Sequence, residues 1–182
     1  MFSNIPNLLS LSRLPLAAGL FFAIASERWG GAMIVLAVAV ATDWLDGWWA
    51  RRFDCGTPLG RNLDPLTDKV LVAGAFIFLI PVPGVRIEPW LVTVVVGREL
   101  LVTGLRGMVE ATGKTFAADW FGKFKTVLQF AVLFAALGIE RFWPGDRPAE
   151  VEYGYTALLG LMLIATVGSA VQYGVKAVRL LK

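Results

Sequence analysis

Six apolar stretches, each near the length of a bilayer crossing, constrain this chain more than any other feature: Leu8–Ala25, Gly31–Trp49, Leu66–Ile80, Trp90–Thr103, Phe121–Ile139 and Tyr155–Tyr173. A helix needs about 20 mostly apolar residues to span the hydrocarbon layer, and lipid cannot satisfy an open strand edge. Helices are therefore the expected element, although the third and fourth stretches are short. Buried helices of a soluble bundle are the alternative. They fail on supply, because 57% hydrophobic and 17% charged residues leave too few polar side chains to coat such a bundle. Trp29, Trp44, Trp48, Trp49, Trp90, Trp120 and Trp143 all fall near stretch ends, where amphipathic rings favour the membrane interface. The expected fold class is all-α: a polytopic membrane protein with six transmembrane helices, forming one membrane-embedded domain over 1–182 with an interfacial segment at 1–13.

Arg13 and Pro15 interrupt the first stretch and no small-residue cleavage pattern follows it, which argues against a removable signal peptide. With six spans, both termini share a side. Arg51, Arg52, Arg61, Lys69, Arg106, Lys114, Lys123, Lys125, Lys176, Arg179 and Lys182 fall on that side, against Arg28, Arg86, Arg141 and Arg147 on the other. Basic residues concentrate on the cytoplasmic side, so cytoplasmic termini are expected. No internal repeat suggests the duplicated halves of a transporter. The polar stretch 144–152 reads as a solvated outer loop.

Cys55 is the only cysteine and histidine is absent, which excludes an intrachain disulfide, a multi-cysteine metal site, a His-based triad and an imidazole acid/base step. Protons must be handled by carboxylate, lysine, tyrosine or water. Against that background the run ATDWLDGWWARRFDCGTPLGRNLDPLTDKV stands out. Asp43, Asp46, Gly47 and Ala50 recur at helical spacings and share one helix face. Arg51 ends that helix, a turn runs through Gly56, Pro58 and Gly60, and Asp64 and Asp68 sit four apart on the next helix. Four carboxylates at the ends of membrane helices repel one another and need protonation or cations. Arg51, Arg52, Arg61 and Lys69 could provide these in a plain ion-paired loop. Acids repeating on one face also suit hard divalent ions, two of which would balance four charges. Gly47, Ala50 and Gly60 leave the face bare enough for a base or pyrophosphate to approach, although small residues also serve tight helix packing.

The pattern D-x2-D-G-x2-A-R-x8-G-x3-D-x3-D, met by Asp43, Asp46, Gly47, Ala50, Arg51, Gly60, Asp64 and Asp68, resembles the signature of the CDP-alcohol phosphatidyltransferases. The resemblance implies a six-helix membrane fold, a homodimer, and two divalent ions, commonly Mg2+ with Mn2+ as an alternative, held by Asp43, Asp46, Asp64 and Asp68 over the pyrophosphate of CDP-diacylglycerol. It implies Asp68 as general base. It also implies that Gly47, Arg51 and Thr57 contact the donor head group while Ala50 and Gly60 shape the nucleotide pocket. The opening run NIPNLLSLSR resembles the family's first segment, which brings Pro6, Asn7, Ser10 and Arg13 toward the lipid donor; for Asn7 and Ser10 a helix cap is an equal alternative. The expected location is a bacterial inner (cell) membrane, among membrane lipids and with the catalytic segment 43–68 cytoplasmic. No nucleic-acid partner is expected.

For the acceptor, GRELLVTGLRG and DWFGKFKT gather Arg98, Arg106, Lys123 and Lys125 around one cytoplasmic connection. An arginine inside a membrane helix is costly and usually functional, whereas basic residues at helix ends are ordinarily topology signals, the reading given to Lys114. Pairing of Glu99 with Arg98 or Arg106 is the structural alternative. A cationic cluster suits a phosphate on the acceptor and so favours glycerol 3-phosphate or inositol phosphate over serine or free inositol. NIPNLLSLSR, LDPLTDKV, GRELLVTGLR and WFGKFKTVLQ resemble the glycerol 3-phosphate-using members of the family, which implies phosphatidylglycerophosphate and CMP as products. The alternatives are inositol phosphate or phosphatidylglycerol as acceptor, a cation transporter, and a non-catalytic scaffold.

Overall fold

The computed structural model describes residues 5–53, 58–116 and 120–181, with side chains over 12–45, 66–116 and 120–181. Among the described residues six α-helices form and no strand: α1 (Ile5–Ala25), α2 (Trp29–Phe53), α3 (Pro58–Leu79), α4 (Pro89–Ala111), α5 (Trp120–Phe142) and α6 (Ala149–Leu181). Each apolar stretch falls within one of them, save that the third outruns α3 by one residue, Ile80. The turn expected to run through Gly60 ends earlier, because Pro58 already opens α3, as Pro89 opens α4; proline's fixed φ suits a first helical turn, where its missing N–H costs nothing. The outer loop is also shorter than expected. α6 starts at Ala149, and Glu150 and Glu152 in its first turn suit the positive end of the helix dipole.

Among the described residues two helices are long and apolar enough to cross a bilayer, α5 and α6; Ser12–Ala25 and Trp29–Leu45 are shorter apolar segments. Large apolar side chains point outward at mid-helix positions, among them Phe22, Ile34, Leu100 and Ile164, the last 72% exposed. Such positions are costly in water and at ease against lipid. Trp44, Trp90 and Trp120 are exposed as well. The chain is a membrane protein.

Two compact units divide the chain. The first comprises Met1–Arg86 and Leu137–Gly145. Here α1 packs against both α2 and α3. The buried faces follow one rule: Arg13, Ala17, Leu20 and Ile24 on α1, Ala32, Leu36 and Ala39 on α2, and Val72, Ala75 and Leu79 on α3 recur at spacings of three and four. At Gly74 there is no room for a side chain, since the Phe21 ring lies across it, stacked on Phe78 at 4.9 Å.

The second unit comprises Ile87–Ala136 and Asp146–Lys182. Its α4 packs along α6, burying Leu91, Val95, Arg98, Val102 and Val109 from one helix and Tyr155, Leu159, Met162, Thr166, Ser169 and Tyr173 from the other. On α5 the buried face runs Lys125, Gln129, Val132 and Ala136. Gly122 on α5 leaves room for the Tyr173 side chain of α6, because a Cβ there would stand 3.0 Å from its hydroxyl.

Candidate active site

In the first unit the apolar stripes end in charge. Asp43 continues the α2 stripe one turn beyond Ala39, Asp68 precedes Val72 by one turn on α3, and Arg13 lies one turn before Ala17 on α1. Packing the stripes together therefore brings the three charged groups to one place. The Arg13 guanidinium is 1% exposed; its Nη2 lies 2.9 Å from Asp43 Oδ1, and its Nη1 donates to Asp68 Oδ1 at 2.7 Å. The carboxylates stay accessible, with side-chain exposures of 51% for Asp43 and 42% for Asp68. A cation fixed below two open acids attracts both while leaving them reachable from outside.

Of the expected ligands, Asp43 and Asp68 thus come together from separate helices. Asp46 lies on α2 and Asp64 on α3, but their side chains fall outside the described residues, as do those of Pro6, Asn7, Ser10, Gly47, Ala50, Arg51 and Gly60; Thr57 lies outside altogether. Among the described residues no group of three or more acidic or thiol side chains gathers. Carboxylate oxygens converging on one cation are nevertheless the donor set a hard divalent ion prefers, so the residues fit such an ion. Arg13, expected near the lipid donor, is found paired to the acids. The cue was present in the sequence, since a basic residue inside an apolar run is what singled out Arg98.

In the second unit Arg98 sits within the buried α4 stripe and is satisfied on several sides. Its Nε donates to Ser169 Oγ at 3.0 Å, its Nη1 donates to Glu99 Oε1 at 3.1 Å, and its guanidinium lies 5.4 Å from the Tyr173 ring centroid. Lys125, 3% exposed, also donates to Glu99 Oε1. Glu99 therefore pairs with Arg98 and Lys125, where the sequence had offered Arg98 or Arg106. Arg106 is half-buried, and its Nε has no hydrogen-bond partner among the described residues. Lys123 is exposed. Lys114 donates to the Leu180 carbonyl, a structural tie at a helix C-terminus. Ser169 and Tyr173 were not foreseen, because a serine and a tyrosine in an apolar helix carry no signal of a partner.

Comparison with known proteins adds an independent line. The family described as CDP-alcohol phosphatidyltransferase matches residues 3–171. A Bacillus subtilis (strain 168) protein named CDP-diacylglycerol--glycerol-3-phosphate 3-phosphatidyltransferase is 35% identical over 149 residues, covering 74% of this chain and 76% of its own. Proteins of the same name from Escherichia coli (strain K12) and Shigella flexneri serotype 5b (strain 8401) are each 34% identical over 179 residues, covering 93% of this chain and 92% of their own.

Proposed function

Since the chain belongs to the CDP-alcohol phosphatidyltransferase family, whose members are transferases that generally use divalent metal ions, we propose that it transfers the phosphatidyl group of CDP-diacylglycerol to sn-glycerol 3-phosphate. The products are phosphatidylglycerophosphate and CMP. The observation that carries the proposal is the convergence of Asp43 and Asp68 on Arg13, in a chain whose relatives bear the name of this reaction. Family membership displaces the cation-transporter alternative.

Asp43, Asp46, Asp64 and Asp68 would hold the divalent ions, two Mg2+ with Mn2+ able to replace them, which supply charge stabilisation to the donor pyrophosphate. Asp68 takes the proton from the acceptor hydroxyl as its oxygen bonds to phosphorus and the phosphate oxygen of CMP departs. Gly47, Ala50, Arg51, Thr57 and Gly60, with Pro6, Asn7 and Ser10, are assigned to the donor. Arg98, Arg106, Lys123 and Lys125 are assigned to the acceptor phosphate. Arg98 and Lys125 enter as an ion-paired group already fixed by Glu99, whereas a phosphate oxygen would give the buried Arg106 Nε the acceptor it lacks among the described residues. The proposal places six spans and a homodimer in a bacterial inner membrane, with the termini and the reaction cytoplasmic.

Inositol phosphate remains the second acceptor to test, because the same cations suit any phosphate monoester. The deciding assay is CMP release from CDP-diacylglycerol by purified protein with Mg2+, offering glycerol 3-phosphate, inositol phosphate, free inositol and serine, with EDTA as control. EDTA-sensitive release with glycerol 3-phosphate alone is expected. Preference for another acceptor refutes the specificity, and the absence of metal-dependent release refutes the chemistry.

A further inference from the structure

Among the described residues the largest fully buried side chain of the first unit is a cation, Arg13, and it meets acids from two other helices. Burying a guanidinium is expensive unless charge and hydrogen bonds replace its water, so the acids stabilise Arg13 as much as Arg13 holds them. Each carboxylate gives Oδ1 to a different guanidinium nitrogen, 2.9 Å for Asp43 and 2.7 Å for Asp68. A rigid fork of this kind fixes two acceptors in relation to each other, which the single ammonium of lysine cannot do. Because Arg13 lies one turn from Ala17 on the face that packs against α2 and α3, the fork is anchored by the apolar core beneath it.

We propose that Arg13 is a positioning residue for the phosphatidyl-transfer site, a built-in counter-cation whose guanidinium holds Asp43 and Asp68 in register and shares their charge with the divalent ions that use the same carboxylates. The proposal deepens the reading above and rests on it for the role of the acids. Two consequences follow from charge and geometry. Removing the guanidinium leaves the acids to repel each other, so the protein stripped of metal loses stability that a divalent ion can restore. It also removes a competing positive charge, and a unit charge sharing ligands with a divalent ion changes the ion's affinity about tenfold even at a water-like dielectric.

The test uses purified full-length protein stripped with chelator, titrated with Mn2+ while free Mn2+ is followed by electron paramagnetic resonance, alongside thermal unfolding with and without Mg2+. Arg13→Gln should bind Mn2+ about tenfold more tightly than the wild type, should gain more Tm from Mg2+, and should lose turnover because the acids are no longer in register. A merely structural arginine would lower Tm equally with and without metal and leave the Mn2+ affinity unchanged, and that result overturns the proposal. Should Arg13→Gln fail to fold, Arg13→Lys decides: it keeps the charge but not the fork, so near-wild-type Mn2+ affinity with a lowered kcat is expected, and a wild-type kcat refutes the positioning role. The metal titration needs neither substrate, so a wrong acceptor assignment leaves it intact. Lack of saturable Mn2+ binding by the wild type would sink the metal reading and this inference with it.

Discussion

Changing Glu99 to glutamine probes the second unit most directly. The Glu99 side chain is 15% exposed and lies between Arg98 and Lys125, whose side chains are 8% and 4% exposed. Removing one partner of a buried ion pair costs about 3–5 kcal/mol, chiefly because the surviving charge is left uncompensated. Here two cations survive. Glutamine keeps an oxygen able to accept from both, and Arg98 retains Ser169 and the Tyr173 ring, which argues for the lower end, about 3 kcal/mol. For a chain of this length each kcal/mol moves Tm by about 2–4 °C, so Glu99→Gln should melt about 6–12 °C below wild type. If Arg98 and Lys125 also receive the acceptor phosphate, glycerol 3-phosphate brings back the missing anion, and its stabilising effect should be larger in the variant than in the wild type. Thermal unfolding of purified protein in detergent, with and without glycerol 3-phosphate, measures both quantities. A variant melting within about 1 °C of wild type would refute the ion-pair energetics, and equal stabilisation of the two proteins by glycerol 3-phosphate would refute the phosphate role.

Asp68→Asn should abolish CMP release while the variant melts close to wild type, since Asp43 still neutralises Arg13 and the half-exposed amide can still accept from it; retained turnover would remove Asp68 from the chemistry. Arg98→Ala should raise the KM for glycerol 3-phosphate at least about tenfold, the loss of one charge-assisted contact, with the KM for CDP-diacylglycerol unchanged; initial-rate kinetics with each substrate varied would check it. Gln129 is 2% exposed, and its Nε2 has no hydrogen-bond partner among the described residues. Gln129→Leu should therefore raise stability by about 1–2 kcal/mol, and a fall in Tm would show that the amide is engaged after all.

Much of the architecture was legible because it is written locally. Residues such as Leu20 and Ile24, or Leu36 and Ala39, repeat at spacings that any helix buries on one face, and lipid then requires those helices to satisfy their own backbones. The absence of histidine and the lone Cys55 narrowed the chemistry, and the spacing of Asp43, Asp46, Asp64 and Asp68 singled out the segment proposed for it. Boundaries were less legible, as at Pro58 and Ala149, because helix ends depend on a single residue's φ or a first-turn charge. What only the tertiary structure decided is which charge meets which. Arg13 reaches Asp68 across 55 positions, Lys125 reaches Glu99 across 26 and Arg98 reaches Ser169 across 71. Sequence spacing shows that a buried cation must find an anion, but partners on different helices are selected by how those helices pack, and no local period encodes that.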